Sequence, residues 1–181
     1  MEKEKRLRKL NKEIRNCKKC ILWKTRKNSV PGEGPVKAKI IIIGQAPGAM
    51  EDKTGRPFVG RAGRFLDQLL KLAKINRNKV FITSPVKCFP PKNRKPTRKE
   101  IQLCLSYLKK QIEIINPQKF ILLGEVAFKL FFPNEKLKDF RGKLAKKDKK
   151  LYFITYHPAA GLRFSRIKKV LEKDFQKIRK I

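Results

Sequence analysis

The four cysteines of this chain are the residues whose spacing most narrowly limits its chemistry. Cys17 and Cys20 are separated by two residues, and Cys88 and Cys104 by fifteen. In a reducing compartment such a set indicates a metal site more than two disulfides. Four thiolates without a further ligand form a closed site, for which zinc and a 4Fe–4S cluster are both candidates. The spacing does not choose between them.

A glycine-rich loop, GQAPGAMEDKTGRPFVG at residues 44–60, directly follows the apolar run at residues 40–43. It has neither the P-loop pattern nor the dinucleotide-binding glycine pattern, so a phosphate cradle is not indicated. The loop offers amide, carboxylate and aromatic groups instead: Gly44, Gln45, Gly48, Glu51, Asp52 and Phe58. An aromatic face with a few polar groups suits a flat heterocycle. The alternative is a strand-to-helix connection whose Phe58 fills the core.

His157 is the only histidine of the sequence and lies in the segment TYHPAAGLR, at residues 155–163. A single histidine is often a hydrogen-bonded core residue. At the edge of a pocket, however, an imidazole can donate a hydrogen bond to a developing anion. The position of His157 after an apolar strand and before a proline favours this second interpretation.

The charge of the chain is strongly positive: 48 Lys and Arg against 15 Asp and Glu give a formal net charge of +33. A solvated lysine surface and heat adaptation are two explanations, but heat-adapted proteins usually add Glu as well. Here Glu is scarce, which favours a polyanionic partner. There is no apolar run of about 18 residues and no apolar signal-peptide centre. A cytoplasmic, reducing location without membrane association is therefore expected.

These residues must be held by a framework that the hydrophobic pattern also predicts. Strands are expected in the segments KAKIIIIGQ, KVFITSP, QKFILLG and KKLYFITYHP. Helices are expected over residues 3–17, 60–75, 97–115 and 125–131, and from Arg166 to the end. The segment 143–150 is expected to be a surface turn. Strands alternating with helices predict an α/β fold, with three α/β/α layers and a central, mainly parallel four-stranded sheet in a single domain spanning 1–181.

In open parallel sheets, ligands bind beyond the carboxyl ends of the strands. The loops 44–60, 83–97 and 155–164 would meet at that edge, and they carry the unusual residues of the chain. The sequence therefore predicts a binding site formed by these three loops.

The motifs GQAPGAMEDKTGRPFVGRAG, VKCFPPKNRKPT and TYHPAAGLR, together with the cysteine pattern, resemble those of family 4 uracil-DNA glycosylases. The resemblance covers nearly the whole chain. It implies a monomeric DNA repair enzyme that flips uracil out of DNA and hydrolyses its N-glycosidic bond. It also implies a 4Fe–4S cluster, with zinc the alternative, held by Cys17, Cys20, Cys88 and Cys104.

The resemblance also implies roles for individual residues. Phe58 would stack on the flipped base, and His157 would face the uracil O2. Glu51 and Asn93 fall on positions that the family uses near the catalytic water and the reacting nucleotide. Further substrate contacts would come from the following residues: Gly44, Gln45, Ala46, Ser84 and Arg163, the last gripping the DNA backbone.

Two positions depart from the family pattern. Gln45 replaces the usual Glu, a position with a water-activating or cation-stabilising role, and Ser84 replaces the usual Asn, which reads the uracil edge. Two alternatives to uracil excision follow. The chain could act on other deaminated bases such as hypoxanthine, or it could bind uracil or single-stranded DNA without catalysis.

Overall fold

The computed structural model describes residues 1–178 and contains one β-sheet with helices packed on both faces. The strands of the described part are β1 (Ile40–Ile43), β2 (Val80–Thr83), β3 (Lys119–Leu123), β4 (Leu144–Lys147) and β5 (Lys150–Thr155). Their order in the sheet is β2-β1-β3-β5-β4. The pairs β2–β1, β1–β3 and β3–β5 are parallel, whereas β4 is antiparallel to β5. The predicted α/β class and the mainly parallel sheet are confirmed.

The predicted number of strands is wrong: within residues 1–178 the sheet has five, not four. The segment 143–150, expected to be a surface turn, holds β4 and the tight turn into β5. Asp148 and Lys149 form this turn with left-handed backbone angles, φ 49° and 59°. The sequence does not predict this strand, because the segment LAKK has no apolar run and most of its side chains are exposed. Lysines on an edge strand also discourage pairing with other chains.

The bounds of the longer helices are close to the predicted ranges. The helices of the described part are α1 (Glu2–Arg15), α2 (Ala49–Thr54), α3 (Arg61–Leu72), α4 (Arg98–Ile115), α5 (Glu125–Phe131), α6 (Leu137–Phe140), α7 (Pro158–Arg163) and α8 (Ser165–Ile178). Thr97 caps α4 in a reciprocal arrangement with Glu100. The short helices α2, α6 and α7 were not predicted. The predicted end of the last helix, at residues 179–181, lies outside the described part.

The hydrophobic core forms two layers because alternate residues of each strand point to opposite faces of the sheet. Ile41 and Ile43 pack with apolar residues of α1, α4 and α5, whereas Ile42 packs with those of α3 and α8. The three-layer arrangement is therefore confirmed. At the end of α3, the apolar face leaves the core, and Leu72 is 37% exposed.

No helix within residues 1–178 is long and apolar enough to cross a membrane.

Candidate active site

A cavity of about 430 Å³ lies at the carboxyl end of the parallel strands, where the three loops were predicted to meet. This volume is within the usual range for small-ligand sites. Its wall contains nearly all the predicted site residues: Gln45, Ala46, Glu51, Phe58, Ser84, Asn93, His157 and Arg163. The predicted convergence of the three loops is confirmed. The chemical roles of the individual residues stay predictions.

Gly44 is the predicted site residue that does not line the cavity, because it lies behind the two aromatic rings. A Cβ on Gly44 would stand 2.8 Å from ring carbons of Phe58 and 3.7 Å from Nε2 of His157. A larger residue at the end of β1 would therefore push Phe58 out of position.

The ring of Phe58 is presented by an unusual backbone conformation. Phe58 has φ 51°, a left-handed angle that is rare for a bulky residue and often marks a functional site. Arg77 donates hydrogen bonds to the carbonyl oxygens of Pro57 and Phe58, at 2.9 and 3.3 Å. In α3, Gly63 lets the Phe58 backbone approach closely, since a Cβ there would lie 1.9 Å from the Phe58 oxygen. These contacts hold the strained turn in place.

His157 stacks near Phe58, with ring centroids 5.7 Å apart and an interplanar angle of 28°. It also caps α7, because its Nδ1 accepts a hydrogen bond from the amide of Ala159 at 3.2 Å. A neutral imidazole that accepts at Nδ1 carries its hydrogen on Nε2. Burial lowers the pKa of His157 to about 4, and the weaker influence of Glu51 acts in the opposite direction. Near neutral pH, the Nε2–H group is therefore an uncharged donor at the cavity wall.

Glu51 is fixed by backbone amides rather than left free to move. One carboxylate oxygen accepts from the amide of Gly48 at 3.0 Å, and the other accepts from Val59 and Gly60 at 2.8 Å each. The bonds to Val59 and Gly60 could not be predicted from the sequence, because they join α2 to the turn just before α3. The arrangement places a rigid negative charge at the cavity and also fixes the turn that carries Phe58.

Asp52, the neighbouring acid of the same loop, has a structural position instead. It is buried and accepts from the amides of Lys27 and Asn28. Asp52 therefore anchors the segment before β1 and does not line the cavity.

Ser84 is buried at the cavity wall, immediately after β2. Its hydroxyl donates to the carbonyl oxygen of Val86 at 2.7 Å. Because this bond uses the single hydroxyl hydrogen, the lone pairs of the oxygen are what Ser84 can offer a ligand.

The proline-rich loop after β2 contributes a second strained segment. Lys92 and Asn93 both have φ 56°, in the left-handed region. Asn93 lines the cavity beside Arg94, which sequence reasoning did not select. Arg94 makes a forked pair with Glu100, at 2.6 and 2.9 Å, and so ties the loop to the first turn of α4. The sequence feature that could have indicated a place for Arg94 at the cavity is its position next to Asn93.

Lys87 is a buried residue that the sequence did not single out, and it organises the same loop from behind. Its ammonium group donates to the Thr83 hydroxyl, to the Ser84 carbonyl at 2.7 Å and to the Gln111 side-chain oxygen at 2.7 Å. Burial lowers the pKa of Lys87 to about 7. The hydrogen bonds fix the backbone of Ser84 against α4.

The four cysteines line one small cavity between the end of α1, the loop after β2 and α4. All four are free thiols, and no group of three or more His, Cys, Asp or Glu side chains within residues 1–178 is arranged to hold a metal ion. The cavity is surrounded by apolar residues and by Tyr107, Trp23 and Lys87.

The environment of three of these thiols, Cys20, Cys88 and Cys104, raises their pKa and favours the neutral form. Burial raises the pKa of Cys104 to about 11, and it also raises the pKa of Cys20 and of Cys88. Arg26 acts against this trend, since its guanidinium donates to the Cys88 sulfur at 3.0 Å. A metal bound here would have to displace the thiol protons.

The fold and the cavity define an α/β protein with a cavity at the carboxyl end of its sheet whose lining suits a planar ring. An aromatic face, a neutral imidazole donor and a fixed carboxylate converge there. Comparison with known proteins supports this class of protein and identifies the family. The sequence profile of the Uracil DNA glycosylase superfamily matches residues 31–179.

Relatives that match most of the chain carry the same description. A "Type-4 uracil-DNA glycosylase" of Pyrobaculum aerophilum is 48% identical, over 94% of this chain and 90% of the relative. One of Sulfurisphaera tokodaii is 45% identical, over 97% and 84%, and one of Saccharolobus solfataricus is 48% identical, over 92% and 82%. The chain belongs to the uracil-DNA glycosylase superfamily.

Proposed function

We propose that this chain is a uracil-DNA glycosylase of the type-4 group, a DNA repair hydrolase that removes uracil and leaves an abasic site. Membership of the superfamily and the names of the relatives support this activity. An enzyme that acts on a base must take it out of the stack and bind it in a pocket. The cavity at the end of the sheet is suited to such a base.

The observation that carries the proposal is the pairing of Phe58 with the neutral Nε2–H donor of His157 in one cavity. The Phe58 ring provides a stacking surface for the base. Cleavage of the N-glycosidic bond leaves negative charge on the uracil. A donor that is already in place stabilises this charge without reorganisation, and such donors typically contribute a factor of about 10² to 10³ in rate. His157 takes this role toward the uracil O2.

The sugar becomes positively charged as the base leaves, and the attacking water must approach it. The fixed carboxylate of Glu51 favours that positive charge by electrostatic attraction. Gln45 and Asn93 carry side-chain amides, which can orient a water but cannot take its proton as a carboxylate could. In this proposal Gln45 positions the water, and Glu51 supplies the negative charge that the family pattern would place at both sites.

We also propose that Cys17, Cys20, Cys88 and Cys104 hold a 4Fe–4S cluster. Their position around one closed cavity supports a shared group. Zinc held by four thiolates would need their sulfurs at about 2.3 Å from one centre, but the resemblance to family 4 favours the cluster. A multinuclear cluster occupies more space and is commonly held by four thiolates. When bound, it would join the end of α1 to the loop after β2 and would have a structural role.

The proposed activity is tested with an oligonucleotide that contains a single uracil. The expected result is strand scission at that position after alkaline treatment, because abasic sites are labile to base. His157→Ala is expected to slow single-turnover release by about 10²-fold or more, the effect of losing one donor to a developing anion. The variant should stay folded, with a stability lowered by about 1 kcal/mol through the loss of the α7 cap.

A gel-shift measurement with the same oligonucleotide separates catalysis from binding alone. A wild-type protein that shifts the DNA without creating an abasic site would be a binding protein, and the proposed function would be wrong. An unchanged rate for His157→Ala would instead remove His157 from the mechanism.

A further inference from the structure

A row of cations follows one side of α8, the helix that continues from the cavity-lining segment. The row consists of Arg166, Lys169, Lys173 and Lys177, and all four side chains are exposed. At 3.6 residues per turn, these positions fall within an arc of about 80°. We refer to them as the α8 row.

The α8 row is not neutralised by the protein. Among the residues that the structure describes, none of its cations forms an ion pair with an acid. Asp174, on the same helix, is buried and binds Arg141 and Thr155 instead. Another lysine of the helix, Lys168, lies over the ring of Phe65 and is not part of the row. The row therefore presents unpaired positive charge to the solvent.

The α8 row begins next to the mouth of the cavity. Arg163 and Phe164 line the cavity, and α8 starts at the following residue, Ser165. Phe164 is 58% exposed, so the segment that joins the cavity to the helix lies open to a ligand. Positive charge is thus present both at the cavity, on Arg163, and three residues later at Arg166, where the α8 row begins.

We propose that the α8 row is a track for the phosphate backbone of DNA on one side of the flipped nucleotide. This inference rests on the proposed function, because it needs a DNA strand whose base enters the cavity. The distance along the helix from Arg166 to Lys177 is about 16 Å at 1.5 Å per residue. Phosphates of one B-DNA strand follow each other at about 3.4 Å along the axis, so the row spans about five nucleotides.

The track contributes to affinity and not to bond cleavage, because its cations lie outside the cavity. Each phosphate that a protein cation neutralises releases counterions and adds about 0.9 to the slope of log affinity against log salt. Removal of three contacts should therefore lower the magnitude of this slope by about 2.7.

The test compares the wild type with the variant K169Q/K173Q/K177Q. Its affinity for duplex DNA without uracil is measured by fluorescence anisotropy between 50 and 300 mM salt. The matched control is K5Q/K9Q/K12Q, which removes the same charge from exposed positions on α1, against the opposite face of the sheet. These three lysines form no ion pair with an acid of the described part either.

The expected result is a slope reduced by about 2.7 for the α8 variant and by less than 0.9 for the α1 control. Single-turnover release of uracil at saturating protein should be unchanged in both. Equal reductions would mean that total charge and not the α8 row governs binding, and the proposal would be overturned. An unchanged slope for the α8 variant, or a slower saturating rate without a change of slope, would also overturn it.

Two further measurements keep the test decisive. If the triple variant is not folded by circular dichroism, Lys173→Gln alone should reduce the slope by about 0.9, and no reduction would overturn the proposal. Release of uracil by the wild type is measured in parallel. Its absence would contradict the proposed function, while the comparison of slopes would still decide whether DNA follows the α8 row.

Discussion

At the scale of single residues, one hydrogen bond determines which ring nitrogen of His157 can donate to a ligand. Its Nδ1 caps α7, which leaves Nε2 as the donor toward the cavity. Burial then keeps the ring neutral by lowering its pKa to about 4. At pH values well above 4, this neutral donor can share its hydrogen with a developing anion. The helix cap and the proposed catalytic role therefore depend on the same ring orientation.

This depressed pKa predicts a pH dependence of folding stability. The unfolded chain binds a proton at His157 near the ordinary pKa of 6.5, whereas the folded protein binds it only near 4. The unfolded state therefore takes up more protons between these values, and the free energy of unfolding should fall as the pH falls from 6.5 to 4. Above pH 6.5 this contribution is constant.

His157→Asn tests this dependence, because Asn keeps a capping oxygen for α7 but does not titrate. Urea unfolding at several pH values should show a weaker acid dependence in the variant than in the wild type. Parallel curves for the two proteins between pH 6.5 and 4 would contradict the lowered pKa.

Ser84 predicts an altered choice of base. Its hydroxyl hydrogen is used by Val86, so the oxygen can only accept. Uracil N3–H and hypoxanthine N1–H are both donors, and a lone acceptor does not separate them. An Asn side chain would offer an acceptor and a donor together, matching N3–H and O4 of uracil.

The wild type should therefore prefer uracil but also release hypoxanthine. Hypoxanthine presents the same donor and acceptor order as uracil on this edge, whereas cytosine presents the opposite order. Ser84→Asn should therefore raise the ratio of uracil to cytosine release by about tenfold, the value of one net hydrogen bond, and leave the ratio of uracil to hypoxanthine release unchanged. Single-turnover rates on the three oligonucleotides provide the measurement, with Ser106→Ala, a remote and exposed serine of α4, as control. A wild type that already releases uracil alone, with no gain in the variant, would show that Ser84 does not read the base.

The identities of the site residues could be predicted from the sequence, but their partners could not. Phe58, Glu51 and His157 lie in sequence motifs that resemble those of family 4 uracil-DNA glycosylases. The amides that fix Glu51 come from the start of α3, and the acceptors of Lys87 include Gln111, 24 residues away. Such contacts depend on how separate elements pack, which a linear pattern does not contain.

At the scale of elements, the close approach of α3 to the loop before it controls the position of Phe58. A glycine in a helix usually costs about 1 kcal/mol relative to alanine. At Gly63, replacement by alanine should instead lower the stability, because a Cβ would lie 1.9 Å from the Phe58 carbonyl oxygen. The loop would have to move, and the strained Phe58 turn would move with it.

Gly63→Ala should therefore lower both the thermal stability and the affinity for uracil-containing DNA. We expect a loss of about 1 to 3 kcal/mol in the free energy of unfolding, the usual range for overpacking. The control is Gln68→Ala, an exposed substitution on the same helix. A more stable Gly63→Ala protein with unchanged binding would show that the loop has room to relax.

The elements that the sequence predicted well are those with long apolar patterns. Helix α4 has both a capping box and a buried face, and its start at Arg98 lies within one residue of the prediction. Strand β4 has neither signal, since it is held in the sheet by hydrogen bonds to β5 and not by apolar burial. The short helix α2 likewise depends on the bonds of Glu51 and not on an apolar face.

At the scale of the whole molecule, the cysteine cavity joins segments that are far apart in the sequence. Cys17 and Cys20 follow α1, Cys88 lies in the loop after β2, and Cys104 lies within α4. Arg26 strengthens this junction, because its guanidinium contacts both the Cys88 sulfur and the carbonyl oxygen of Arg15. A cluster bound here would fix the N-terminal segment against the loop that carries Ser84.

The last prediction follows from this junction. Protein purified without oxygen should be brown, with visible absorption from thiolate-to-iron charge transfer and about four iron atoms per chain. Cys88→Ala should lose this absorption and most of the iron, because one of four ligands is removed. Its melting temperature should also fall, since binding of a structural metal group contributes to folding. Gln102→Ala, an exposed change on α4, should keep both colour and stability. Metal analysis decides the outcome: stoichiometric zinc without iron in the wild type would replace the proposed cluster by a zinc site, and retained iron in Cys88→Ala would remove Cys88 from the ligands.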